Sequence, residues 1–209
     1  LKTNILLASH NLGKIKELHQ LLSSSKLNSK FEIISLSNLE KKIPDVEETG
    51  KTFSSNALLK AKSAGKLSGY VTLADDSGLE VESLDNFPGV RSARWSPGSD
   101  EDRNTALLEK LRGNKNRNSK FVSVICLYVS NIDRSWEFRG EIKGQIADKP
   151  QGEDGFGYDP IFIPQGFSQT FAQLGDKIKN QISHRSLALN KLIKFLSDET
   201  NQQLLSTSQ

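Results

Sequence analysis

Two adjacent carboxylates, a hydroxyl and a glycine come together in Ala74-Asp75-Asp76-Ser77-Gly78-Leu79-Glu80-Val81. The apolar run Tyr70 to Ala74 delivers them, and the alternation of Leu79 and Val81 carries the chain away. Burying one carboxylate is unfavourable, and two at a strand end are worse unless a cation or a proton offsets them. The stretch is therefore expected to form an ion-binding or acid/base centre at a strand end, with Gly78 turning the chain. Asp-Ser-Gly is also ordinary turn chemistry, so a polar turn is the plainer reading of these eight residues alone.

Other residues could serve such a centre. Ser9-His10-Asn11-Leu12-Gly13-Lys14 lies between an apolar run and an amphipathic pattern of Ile15, Leu18, Leu21 and Leu22. A strand, a polar loop and a helix in that order aim backbone N–H groups and the positive end of the helix at a ligand, and Lys14 suits a phosphate. An ordinary connection capped by Ser or Asn would look the same. Asp45-Val46-Glu47-Glu48 supplies an acidic run just before a helix capped by Thr52 or Ser54, on which Asn56 and Lys60 share a face. The glycine-rich loop Gly152 to Gly157 lets backbone approach a ligand, and Phe156 and Tyr158 offer flat apolar surfaces.

The elements that must position these groups follow from periodicity. Strands are expected over Asn4–Ala8, Phe31–Leu36, Leu79–Leu84 (half exposed), Lys120–Val129 and Trp136–Ile146, the last two as a hairpin. Helices are expected after Lys14, from Ser54, over Asp100–Leu111, and after a Ser183 cap, where Leu187, Leu189, Leu192, Ile193 and Leu196 form the apolar stripe. Arg112 to Lys120 reads as a solvated basic connector containing Lys115, Arg117 and Lys120. Beyond Thr200 the polar tail is expected to fray.

Composition narrows the class. A chain of 209 residues fits one domain of two lobes at most. It can bury about 70% of its unfolded surface without disulfides or a structural metal. The lone Cys126 lies in an apolar run and reads as core, and a single cysteine suits a reducing compartment. A net charge of +3 with well-mixed signs is no nucleic-acid signature. No apolar run approaches the roughly 18 residues of a membrane span. A soluble, cytoplasmic protein without nucleic-acid or membrane partners is expected. With Leu1 first and no methionine anywhere, the initiator residue is expected to be missing.

Taken together the motifs resemble the inosine/xanthosine triphosphatases, the dITP/XTP pyrophosphatase family. The matching blocks are Ser9 to Lys14, Glu47-Glu48-Thr49-Gly50 with Thr52-Phe53 and Asn56-Ala57, and Asp75 to Leu79. They continue through Pro88-Gly89-Val90, Ser92-Ala93-Arg94, Gly155 to Phe162 and Ile182-Ser183-His184-Arg185, so the resemblance runs from Leu6 to about Leu196. Each block is modest alone; their shared order makes the match specific.

The resemblance implies an α/β fold with a long twisted mixed sheet, two lobes around a nucleotide-binding cleft, and a homodimer. It implies Mg²⁺-dependent hydrolysis of ITP, dITP or XTP to the monophosphate and pyrophosphate, which cleanses the nucleotide pool of deaminated purines. One Mg²⁺ per site is expected. Carried across, Asp76 is the general base and a metal ligand, Glu47 is the other metal carboxylate, and Asp75 and Glu48 support them. Lys60 joins Asp76 in catalysis beside Asn56. Ser9, His10, Asn11, Leu12, Gly13 and Lys14 hold the triphosphate, and Ser77 touches the substrate. Phe156, Gly157, Tyr158, Asp159, Lys179, His184 and Arg185 form the base pocket. The six-carbonyl of hypoxanthine or xanthine would accept from Lys179 and Arg185, whereas the amino group of adenine would face donors. Where the family often carries Glu after the Ala of its penultimate block, Ala172 is followed by Gln173, which puts a charge role there in doubt. Two other readings remain: a Maf-like pyrophosphatase of different base specificity, and a nucleotide sensor without turnover.

Overall fold

The computed structural model describes residues 2–23, 25–40 and 42–206. The chain opens with β1 (Thr3–Leu7), α1 (Leu12–Ser23) and β2 (Phe31–Ser35). It continues with α2 (Phe53–Ser68), β3 (Val71–Val81), the short β4 (Phe87–Pro88) and α3 (Asp100–Lys110). Two long strands, β5 (Asn118–Val129) and β6 (Arg134–Ile146), precede β7 (Phe162–Pro164) and the helices α4 (Phe171–Ile182), α5 (His184–Ser197) and α6 (Glu199–Ser206). The strands form one mixed sheet in the order β2-β1-β3-β5-β6-β7, with β4 on β3. β1 runs parallel to β2 and β3, while β3/β4 and β6/β7 are antiparallel. The fold is therefore α/β, as the resemblance implied.

The chain divides into two compact units, one of Leu1–Asp76, Ser123–Arg139 and Ala188–Gln209, the other of Ser77–Val122 and Gly140–Leu187. The first has a core in which Ile5, Leu7, Leu18, Leu73, Ile125, Leu127, Leu189 and Leu192 pack. In the second, Leu79, Val81, Leu107, Leu111 and Ile161 pack with Phe121, Phe162 and Phe171. The three rings of that group lie 4.6–6.3 Å apart, within the range of favourable aromatic pairs. Among the described residues no helix is long and apolar enough to cross a membrane.

Several elements differ from the sequence reading. Asp75 to Gly78 do not form a turn at a strand end: β3 runs unbroken for 11 residues through them. The strand expected over Leu79–Leu84 is the end of β3, where Leu79 and Val81 are buried and Glu80 is only partly so, as the alternation implies, but it stops at Val81 and Glu82–Leu84 form a 3-10 turn. The connector before β5 is not simply solvated, because the Arg117 guanidinium donates to the carbonyls of Ile146 and Ala147, each at 2.6 Å. Leu187 is exposed rather than part of the α5 stripe, and on α1 the acidic Glu17 is buried. Helix α4 was not foreseen, since Gly175, at φ 75°, interrupts its periodicity. Where fraying was expected after Thr200, α6 continues to Ser206 with Leu205 fully buried. Residues 207–209 of the expected tail lie outside the described residues.

Candidate functional site

The first unit holds a charged centre built on β3 and α2. Successive side chains of a strand point to opposite faces, so Asp75 and Asp76, though adjacent, meet different partners. The Asp76 carboxylate, 5% exposed, accepts from Lys60 Nζ at 2.9 Å on Oδ1 and from Asn56 Nδ2 at 3.2 Å on Oδ2. The Lys60 ammonium also donates to Glu48 Oε1 and to the Asp75 carbonyl, both at 2.8 Å. Asp75 is held by the Lys14 ammonium at 2.8 Å and by the Ser123 hydroxyl at 2.5 Å. Thus Lys60 joins two carboxylates of the site, while Asp75 anchors Lys14.

Local sequence explains how α2 presents these groups. Thr52 caps the helix, its hydroxyl accepting from the Ser55 N–H while Ser55 reaches back to the Thr52 N–H. Asn56 and Lys60 then fall one turn apart on the face toward β3. The Asn56 amide also accepts from the Gly50 N–H at 2.8 Å, which ties the acidic loop to the same helix. A side chain on Gly50 would run into Ser55 and Asn56, so glycine is needed there for close approach.

Burial pushes the Asp76 carboxyl above the usual carboxylate range, more than Lys60 and Lys14 pull it down. Burial works the other way on Lys60, yet Asp76 and Glu48 together hold its ammonium above the ordinary lysine value. A carboxylate with raised proton affinity beside fixed cations is suited to take a proton from water. Among the described residues no three acidic, His or Cys side chains converge as a ready metal cage. The donor set nonetheless fits a hard cation of the Mg²⁺ type. Such ions take one or two carboxylates plus substrate oxygens, and Glu48 and Asp76 already share one cation through Lys60.

The loop from Ser9 to Lys14 differs from an open cradle of amides. The N–H groups of Asn11 and Lys14 are taken by Ser9 Oγ and Asn11 Oδ1, so Asn11 is the cap of α1. Gly13 lies within α1, His10 pairs with Asp45 at 3.0 Å on the surface, and Leu12 is 81% exposed. Glu47 is exposed, and it is Glu48 that shares Lys60 with Asp76.

The second unit holds an aromatic and cationic centre. Lys179 and Arg185, each 2% exposed, place their cations 4.5 and 5.6 Å from the Phe156 ring centre, within cation–π range. Lys179 pairs with Asp159 at 2.5 Å, and Arg185 donates to Ser77 Oγ at 3.0 Å. Asp159 also accepts from the Phe156 N–H at 2.8 Å. Gly155, at φ 83°, passes so close to this carboxylate that any side chain would strike it. His184 is buried and stacked on Phe121 at 4.6 Å. Tyr158 is buried too: its hydroxyl accepts from Trp95 Nε1 at 2.7 Å and donates to the Ser92 carbonyl at 2.6 Å. Burial pushes that phenol up to about 12. Phe156, half-buried, is the open ring of this group.

Gln173 is the third residue of the α4 capping box, accepting from the Thr170 N–H at 3.0 Å. A neutral amide does this as well as a carboxylate, so the departure from Glu leaves the helix start intact. Ser123, Asp100 and Asn104 escaped the sequence reading. Ser123 had a signal, being the one serine in the apolar run from Phe121 to Val129. Cys126 from that run is buried and its thiol is pushed up to about 12, which makes it inert.

Comparison with known proteins places the chain in a family. Residues 5–195 match the model of the Ham1 family. The chain is 44% identical over 194 residues to a dITP/XTP pyrophosphatase of Symbiobacterium thermophilum, covering 92% of this chain and 94% of the relative. It is 46% identical over 190 residues to a dITP/XTP pyrophosphatase of an Exiguobacterium species, covering 90% and 94%. A HAM1 protein from Coxiella burnetii has a similar structure, with a TM-score of 0.84 at 38% identity over 93% of this chain and 98% of that one. The Ham1 protein of Staphylococcus aureus gives 0.81 at 41% identity, over 93% and 98%. On a match that spans nearly the whole sequence and the whole fold, the chain belongs to the Ham1 family.

Proposed function

We propose that the protein hydrolyses dITP, XTP and ITP to the nucleoside monophosphate and pyrophosphate, removing deaminated purines from the nucleotide pool. The observation that carries this reading is the Lys60 ammonium joining Glu48 and the buried Asp76. The printed activity of the relatives, dITP/XTP pyrophosphatase, supports the same substrate class.

In this reaction Asp76 takes a proton from the attacking water, and its raised proton affinity favours that role. Lys60 keeps the carboxylate oriented while its charge offsets developing negative charge on the phosphates. Lys14 turns from Asp75 toward the triphosphate, with Ser9 to Gly13 lining its path. Asp76 and Glu48, with Glu47 in reach of solvent, would hold Mg²⁺, which when bound supplies charge neutralisation for the phosphate oxygens. The purine lies on Phe156, with Lys179 and Arg185 donating to its six-carbonyl and Ser77, Asp159 and His184 shaping the pocket. Gly157 and Tyr158 hold the loop. A homodimer in the cytoplasm, acting on free nucleotides rather than on nucleic acid or membranes, belongs to the same proposal.

The test is a panel of dITP, XTP, ITP, GTP and ATP with Mg²⁺ and identified products. Monophosphate and pyrophosphate from the first three, with little from ATP, are expected. Equal hydrolysis of ATP and ITP, or release of orthophosphate, would remove the proposal.

A further inference from the structure

Gly157 sits beside Phe156 in the loop, and one face of α3 grips its peptide groups from both sides. The Gly157 N–H donates to Asp100 Oδ2 at 2.7 Å. The Gly157 carbonyl accepts from Asn104 Nδ2 at 3.0 Å. Asp100 and Asn104 are four residues apart, so the helix presents them together. Gly157 adopts φ 63°, and a side chain there would meet nothing within 4 Å. The glycine is therefore required by backbone handedness and not by space.

Asn104 is a poor choice for packing alone. It is 2% exposed, next to the Leu107 core, and its Oδ1 has no hydrogen-bond partner among the described residues. A buried amide with an idle acceptor is unfavourable, and a leucine of similar size would fill the place without that penalty. What the amide supplies is its donor to Gly157. The neighbouring contacts differ in kind, since Asp159 holds Phe156 from within the loop and Trp95 and Ser92 fasten the Tyr158 hydroxyl. The peptide that immediately follows Phe156 is held at its N–H by Asp100 of α3 and at its carbonyl by the Asp159 N–H at 3.3 Å.

We infer that Asp100 and Asn104 are positioning residues for purine selection, setting where the Phe156 ring stands relative to Lys179 and Arg185. This rests on the proposed reading of Phe156 as the purine platform. Neither residue touches the base; both act through Gly157. A ring displaced by a fraction of an ångström would keep its apolar surface but misplace the six-carbonyl against its donors. Selectivity should therefore suffer more than turnover.

The experiment uses the full chain with Asn104→Leu, Asp100→Ala and Asp100→Asn. IMP binding is followed by calorimetry, kcat/KM is measured for ITP and ATP, and thermal melts track folding. Asn104→Leu and Asp100→Ala should weaken IMP binding about tenfold, the equivalent of one hydrogen bond, and lower the ITP-to-ATP ratio to match. The loss should fall mainly on KM for ITP. Asp100→Asn, which still offers an acceptor to Gly157, should restore both readouts. Unchanged IMP affinity and ITP-to-ATP ratio in Asn104→Leu and Asp100→Ala would overturn the inference. So would ITP and ATP activities that fall together in step with the folded fraction, or a wild-type protein that does not bind IMP. A wild type that binds IMP with the expected variant pattern yet releases no pyrophosphate from ITP would remove the hydrolase reading and keep this one.

Discussion

The charged centre around Asp76 and the aromatic centre around Phe156 treat buried charge in opposite ways. Lys179 and Asp159 form a closed pair, both nearly inaccessible, with the Phe156 N–H also on Asp159 and the Phe156 and Phe171 rings beside the ammonium. Lys60 is a shared cation with some exposure, and it divides its donors among two carboxylates and a backbone carbonyl. A closed pair is rigid and fixes shape. A shared cation leaves Asp76 with a burial penalty that its neighbours do not cancel. The first arrangement suits recognition of a flat base, and the second suits a group that must change its protonation state.

The difference is broken most directly at Lys179. Lys179→Met leaves the Asp159 carboxylate buried without its ammonium, and such a break costs about 3–5 kcal/mol. Denaturant unfolding should show that loss, and Asp159→Asn in the same chain should recover a large part of it. A loss below about 1 kcal/mol would mean that the pair is not closed as described.

Lys60→Met should act on chemistry first. Removing a cation that orients the base and offsets phosphate charge is expected to lower turnover by on the order of 10²-fold or more. Its stability loss should be smaller than that of Lys179→Met, because the ammonium is partly solvated and Asp76 keeps the Asn56 donor. Pyrophosphate release and denaturant melts on the two variants side by side decide it. Retained turnover together with a larger stability loss would reverse the roles assigned to the two cations.

The same difference governs how much could be read from sequence. The helices α1, α2, α3 and α5 and the strands β1, β2, β5 and β6 were legible because periodicity and caps are local signals. The pairing of Asn56 with Lys60 was also legible, since helical spacing puts them on one face. What was not legible depends on distant chain. A polar Asp-Asp-Ser-Gly run inside a strand looks like a turn until its neighbours in the sheet are known. The choice of Glu48 over Glu47 beside Lys60 is set by a loop without periodicity. Tyr158 reads as an open ring from its type alone, and its hydroxyl partners Trp95 and Ser92 lie more than sixty residues away.

The finest test of the open arrangement is the pH dependence of stability. In the folded protein the Asp76 carboxyl lies above the usual carboxylate value. A group shifted upward stabilises the fold while it is protonated below its unfolded value, and that contribution is lost as pH rises through the folded value. Ionised Asp76 therefore works against folding near neutral pH in metal-free protein. Lys60 is shifted upward too, but its contribution persists until pH passes the ordinary lysine range, so it does not interfere below pH ~9. Replacing Asp76 with Asn removes the first effect and keeps the shape, its single amide oxygen retaining one of the two donors, Lys60 or Asn56. Thermal melts of wild type and Asp76→Asn in a chelator, from about pH 3.5 to 7.5, should show the difference moving in favour of the variant as pH rises. The shift should be small, because Lys60 and Lys14 cancel part of the burial effect. A difference that moves toward the wild type instead would mean that the cations outweigh burial, and Asp76 would then sit in a closed pair like that of Lys179 and Asp159.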